Sequence, residues 1–183
     1  MPEIAERIAF LGLGSNLGDR EVMLRSALIA IDDLPGTRVS PDGVASLFET
    51  DPVGGPGDQP AFLNSALRLA TTLDPVSLMK AILAVETGLG RTPGPRWSAR
   101  LIDIDLLLFG EVTMQSDPLT LPHPRLHQRL FVLAPLAEIA ADVIHPVIGA
   151  SIETLQRRSR ESTPSGSVWK IAGPEWASAV ATR

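Results

Sequence analysis

The chain predicts an α+β fold of the ferredoxin-like, split βαβ kind with additional C-terminal helices, and three observations carry the prediction. Apolar runs of strand and helix period follow one another as strand, helix, strand, strand, helix, strand. Proline and glycine punctuate the joints between them. The 183 residues, 44% hydrophobic, suit one domain with a closed core better than two.

The first run, Ile8-Ala9-Phe10-Leu11-Gly12-Leu13, reads as a buried strand, and the glycine-rich stretch to Gly18-Asp19 as a turn. Asp19 caps a helix in which Val22, Leu24, Leu28, Ile31 and Leu34 recur near helical spacing until Pro35-Gly36 stops it. Thr37 to Phe48 is strand-like apart from Pro41-Asp42-Gly43, and a loop rich in proline and glycine leads to a strand from Phe62 to Ala70. Asp74-Pro75 opens a second helix with a cap and an N1 proline, and Val76, Met79, Ile82, Leu83 and Val85 give it an apolar face. Residues 91–100, with Pro93, Gly94 and Pro95, read as loop, and Leu101 to Gly110 is the most strand-like run of all. Further helices are expected over 130–141 and 151–160. The segment 161–183, rich in Ser, Ala, Gly and Pro with weak periodicity, is expected to be a partly mobile tail.

Composition narrows the function classes. The absence of cysteine rules out a disulfide framework, a thiolate metal site and a Cys nucleophile. No signal-peptide pattern or spanning apolar stretch is present, so a soluble cytoplasmic protein is expected. A net charge of −5 argues against bulk binding to nucleic acid or an anionic membrane. Positive charge is nonetheless concentrated mid-chain, at Arg91, Arg96 and Arg100 and again at Arg125 and Arg129, where an anionic small molecule could dock.

Asp103 and Asp105 stand at strand positions i and i+2, so both carboxylates project from one face while Ile102, Ile104 and Leu106 take the other. Hard oxygen ligands at that spacing suit Mg²⁺ shared with substrate phosphates; a solvated strand face or an ion pair with arginine is the plainer alternative. Mg²⁺ on the aspartates with guanidinium groups opposite would neutralise a polyphosphate from two sides. The Gly12-x-Gly14-x-x-x-Gly18 stretch matches neither a P-loop nor Gly-x-Gly-x-x-Gly and reads as a structural turn. His123, between Pro122 and Pro124, either donates to a phosphate or caps a turn. His127 and His145 lack metal-like spacing to it.

Five segments in order carry a family resemblance: Gly12 to Gly18; Glu49 to Gly54 with Gln59 to Asn64; Glu86 to Arg91; Arg96-Trp97 with Arg100 to Asp105; and Leu121 to Pro124 with Arg129 and Phe131. Together they resemble 6-hydroxymethyl-7,8-dihydropterin pyrophosphokinase of the folate pathway, from Ile8 to about Pro146. The resemblance implies a ferredoxin-like fold, a pyrophosphokinase domain over 1–160 followed by the tail 161–183, and pyrophosphoryl transfer from ATP to the pterin hydroxymethyl, releasing AMP. It implies two Mg²⁺ ions with ATP on Asp103 and Asp105, and Arg91 and Arg100 around the transferring group. Glu86, Arg96, Arg100, Thr120, His123 and Arg129 would serve ATP, with Glu86 near the nucleoside. Thr50, Val53, Phe62, Asn64 and Phe131 would bind the pterin, which wants aromatic walls and an amide, and Trp97 would seal the site. ATP and the pterin are the implied partners, with a monomer expected. The chain departs from the family pattern in Thr92-Pro93-Gly94-Pro95, which lacks extra basic residues, in Ser98-Ala99, in Pro118 near the ATP side, and in Phe62 where tyrosine is frequent. From the Asp-x-Asp pair alone, a metal-dependent nucleotidyl- or glycosyltransferase and a non-catalytic ligand-binding module stay open.

Overall fold

Alternation along Arg7–Ser15 (β1) sets the architecture: Ala9, Leu11 and Leu13 enter one apolar core and Phe10 enters another, so the strand is buried on both sides. The computed structural model describes residues 5–52, 59–92, 99–164 and 167–178. Asp19 accepts a hydrogen bond from the Val22 N–H (3.1 Å) and starts Arg20–Asp32 (α1), which buries Leu24, Ala27, Leu28 and Ile31. Thr37–Val44 (β2) and Leu47–Thr50 (β3) lie end to end along one edge of Phe62–Thr71 (β4). Pro41-Asp42-Gly43 does not end β2; it forms a register shift between Val39 and Val44, where a proline is tolerated because β2 pairs with β4 alone. Asp74 caps Pro75–Gly88 (α2) through the N–H groups of Val76 and Ser77. Asp103–Phe109 (β5) follows, then the short hairpin of Met114–Gln115 (β6) and Thr120–Leu121 (β7). Leu130–Ala140 (α3) and Ile152–Ser162 (α4) complete the helices, α4 capped by Ser151.

The main sheet runs β5-β1-β4-β3, all antiparallel, and ends in a strand from the C-terminal segment, Val168–Ala172 (β8), paired with β3. This differs from the expected tail. After β8 a 3-10 turn over Pro174–Ala177 buries Trp176, whose indole N–H donates to the Ala45 carbonyl (2.8 Å). The weak periodicity of 161–183 has a physical reason: β8 is held through its backbone, and Trp169, Lys170 and Ile171 stay exposed, so no apolar alternation marks it.

The two faces of the sheet are covered differently. α1 and α2 close over Leu11, Leu13, Leu67, Leu69, Ile104 and Leu106. On the other face Phe10, Ala66 and Leu108 pack beneath Val132, Leu133 and Leu136 of α3 and Ile152 and Leu155 of α4. That cover stops short of the end of the sheet bearing Gly12, Gly14, Asn64, Asp103 and Asp105.

Candidate active site

The strand register puts this set of residues in order. Gly14 lies between Asp103 on β5 and Asn64 on β4, and Gly12 between Asp105 and Ala66. At the usual spacing between strands, Asp103 and Asn64 are held roughly 10 Å apart with no side chain between them. A Cβ added to Gly14 would stand 3.2 Å from Asn64 Oδ1. The glycines therefore form the floor of a cavity of about 210 Å³, rather than the turn expected of them; only Gly18, at φ 65°, serves a turn.

One end of the cavity is ionic. Asp103 Oδ1 accepts from Arg100 Nη1 (2.7 Å) and pairs with Arg91 Nη2 (3.1 Å). Arg91 also pairs with Glu86, which is 1% exposed and whose Oε1 accepts the Ile104 N–H (2.7 Å). Burial raises the Glu86 carboxyl above its ordinary range, opposed by the Arg91 and Ile104 hydrogen bonds. Asp105 is pushed up to about 6 by burial and then by the charge of Asp103, with Arg129 offsetting only part of it. His123 is driven down to about 4 by burial and by the nearby Arg129 and Arg125. Its Nδ1 accepts the Arg125 N–H (3.2 Å), so the neutral ring carries its proton on Nε2. The His123 backbone N–H donates to Leu107 O (2.9 Å), fixing the residue to β5.

The other end suits a flat heterocycle. Asn64, 6% exposed, donates from Nδ2 to Thr50 Oγ1 (2.9 Å). Phe62 and Phe131 line the same space, and the Arg129 guanidinium carbon sits 5.5 Å from the Phe131 ring centre.

Of the residues singled out in the sequence, Thr50, Phe62, Asn64, Arg100, Asp103, Asp105, His123, Arg129 and Phe131 converge on this cavity. Arg91 reaches it through Asp103. Glu86 lies beneath it, held by β5 and Arg91 instead of facing the opening. Thr120 lines a neighbouring cavity of about 430 Å³ that shares His123. Val53, Arg96 and Trp97 lie outside the described residues. The cavity also takes in Arg125, already placed in the mid-chain concentration of positive charge, and Asp51 and Gln59, which carried no assigned role and which only the fold brings beside Asp103.

Residues 10–141 match the family described as 7,8-dihydro-6-hydroxymethylpterin-pyrophosphokinase. The chain is 46% identical over 136 residues to the 2-amino-4-hydroxy-6-hydroxymethyldihydropteridine pyrophosphokinase of Bacillus subtilis, covering 74% of this chain and 80% of that protein. It is 41% identical over 158 residues to the enzyme of the same name from Methylorubrum extorquens, covering 86% and 95%. The fold resembles wild-type Plasmodium falciparum HPPK-DHPS, solved with STZ-DHP, at a TM-score of 0.72 and 17% identity, covering 91% of this chain and 47%, about half, of that one. The row of Asp103, Gly14 and Asn64 thus sits in a chain that belongs to the 7,8-dihydro-6-hydroxymethylpterin-pyrophosphokinase family.

Proposed function

We propose that this chain transfers a pyrophosphoryl group from ATP to the hydroxymethyl oxygen of 6-hydroxymethyl-7,8-dihydropterin, giving the pterin diphosphate and AMP in folate biosynthesis. One observation carries the reading beyond family membership: a single glycine-floored cavity joins paired carboxylates and arginines at one end to an amide and two phenyl rings at the other. A hydroxyl attached to a ring at the second end would thereby face phosphates at the first.

The residues fit a divalent cation that shares its ligands with substrate. Asp103 and Asp105 present hard oxygens from one strand face, and the raised carboxyl of Asp105 marks a place short of positive charge. Among the described residues no cluster of three or more His, Cys, Asp or Glu could hold an ion unaided, so phosphate oxygens and water would complete the set, as Mg²⁺ prefers. When bound, two Mg²⁺ ions would supply positive charge to the ATP oxygens.

The chain's own residues do the rest. Arg91 and Arg100, held on Asp103 in the free protein, are placed to exchange that carboxylate for phosphate oxygens around the transferring group. His123, neutral near pH 7, donates its Nε2–H to a phosphate oxygen. Arg129 adds a further cation to those already assigned to ATP and steadies the Phe131 ring. Phe131 and Phe62 stack on the pterin while Asn64 and the Thr50 backbone bind its polar edge. Thr120 and Arg96 are assigned to ATP, the Val53 backbone to the pterin and Trp97 to closure, on the resemblance; Glu86 supports ATP binding through Arg91. The hydroxymethyl oxygen bonds to the β-phosphorus as the bond from that phosphorus to the AMP oxygen breaks, and the hydroxyl proton passes to solvent. We further place the protein in the cytoplasm as a monomer without nucleic acid or membrane. The net charge of −5 weighs against bulk binding to nucleic acid or an anionic membrane surface, and among the described residues no helix is long and apolar enough to cross a membrane.

The test is incubation with Mg²⁺, ATP and the pterin, followed by chromatography of the nucleotides. AMP, rather than ADP, is expected only when the pterin is present. Folded protein that yields no pterin-dependent AMP refutes the reading.

A further inference from the structure

The pterin end of the cavity is built from three elements: Thr50 on β3, Phe62 and Asn64 on β4, and Phe131 in the first turn of α3. β4 is locked between β1 on one side and β2 and β3 on the other. The other two elements need support of their own. β3 has only four residues, and α3 starts after Arg129 without a side-chain cap. β8 reaches both. Val168 pairs with Thr50 across the β3–β8 ladder, and its half-buried side chain packs with Phe48, Leu130 and Ala134 in a small apolar cluster apart from the two main cores. Leu130 immediately precedes Phe131, and Phe48 stands opposite Asn64. Two residues further along β8, Lys170 Nζ donates to Glu138 Oε1 (2.9 Å), while Glu138 Oε2 accepts the N–H of Ser46, just before β3 (2.7 Å). The C-terminal strand thus ties β3 to α3 twice, on the face of the sheet that carries the cavity.

We propose that Val168 is a positioning residue for the pterin end: from β8 it sets Thr50 and the first turn of α3 at the separation at which Asn64 and Phe131 grip one heterocycle. This rests on the pterin reading of the cavity. Thr50 is 2% exposed, and its Oγ1 takes one hydrogen of the Asn64 amide (2.9 Å), which fixes the direction in which that amide presents its remaining donor and its acceptor. A shift of β3 turns the amide, and a shift of Leu130 moves the Phe131 wall. Trimming Val168 to alanine keeps the backbone pairing but opens a gap into which Leu130 and Phe48 relax. The ionic end is remote from this change, because Asp103 and Asp105 stand on β5 at the opposite edge of the sheet, with β1 and β4 between. A merely structural role would lower stability and affect both substrates alike.

The experiment measures pterin affinity of the full chain by calorimetry in saturating Mg²⁺ and α,β-methylene-ATP, an analogue in which the bond to be broken is blocked, together with KM for each substrate. Val168→Ala should weaken the pterin about fivefold or more and raise its KM in step, with KM for ATP within about twofold. Val168→Ile, which keeps the branched contact, and Trp169→Ala, on the other side of the same strand, should both stay within about twofold of wild type. Leu11→Ala, at a fully buried position in the main core, should cost more stability and still hold pterin affinity within about twofold. A folded Val168→Ala protein with wild-type pterin affinity overturns the proposal. Equal losses for pterin and ATP overturn it too, as does a loss in Trp169→Ala or Leu11→Ala as large as that in Val168→Ala. Should Val168→Ala fail to fold, Val168→Thr, which keeps the shape and gives up one methyl, should weaken the pterin about threefold; unchanged affinity there overturns the proposal. A wild type that binds no pterin beside the analogue would instead overturn the reading on which the proposal rests.

Discussion

The two faces of the sheet are made by the same strands and obey opposite rules. On the face under α1 and α2, Leu11, Leu13, Ile104 and Leu106 fill every position and water is excluded. One residue away along the same strands, Gly12, Gly14, Asp103 and Asp105 leave a hollow with charge on its wall. Alternation lets a strand be anchored by one set of side chains while the other set is released from packing duty. The closed face supplies the rigidity that the open face needs to hold carboxylates where they repel each other.

Removing a carboxylate from the open face should have the largest effect. Asp105→Asn is expected to lower turnover about a hundredfold or more, roughly 3 kcal/mol of transition-state stabilisation. The same change should stabilise the ligand-free protein at pH 7.5 by on the order of 1 kcal/mol, or about 2–4 °C in Tm. The sign follows from the raised carboxyl. Wild type holds the Asp105 proton more tightly folded than unfolded, so it loses stability as pH climbs from 3.8 through about 6, whereas the amide does not. The gap in Tm should close below that window; a variant less stable than wild type at pH 7.5 would show that the charge is already satisfied without a cation.

The closed face should answer the other way. Leu11→Ala, at a fully buried position, is expected to cost about 2–4 kcal/mol in denaturant unfolding and to leave KM for both substrates within about twofold. A selective loss of substrate affinity there would mean that the faces are not independent. A smaller effect belongs to the floor. Gly14→Ala should weaken the pterin about tenfold, near 1.4 kcal/mol, since the new Cβ meets Asn64 Oδ1 at 3.2 Å. Gly12→Ala, whose Cβ would first meet the Leu107 side chain at 3.4 Å, should be milder. Equal effects at the two glycines would remove the special place given to Asn64.

Much of the open face was legible because strands have a period of two. Asp103 and Asp105 could be set on one side of β5 from spacing alone, and the caps at Asp19 and Asp74 announced α1 and α2. What was not legible was register. Gly12 and Gly14 read as a turn because nothing in a single strand tells which residues will face them; the pairing with Asp105 and Asp103 made them a floor. Glu86 follows Ile82 by one helical turn and shares its buried face, a clue that it serves the core side of the site rather than its mouth. β8 escaped because an exposed edge strand leaves no apolar signature.

Glu86 and His123 have a second consequence, for how the molecule meets its neighbours. β5 ends the sheet, and an end strand with idle N–H and C=O groups is a template on which another chain can add itself. Here the Ile104 N–H is taken by the Glu86 carboxylate and the Leu107 carbonyl by the His123 N–H. Two residues read as serving ATP thereby occupy groups an incoming strand would need, and a substitution at Glu86 risks sticky protein as well as slow protein.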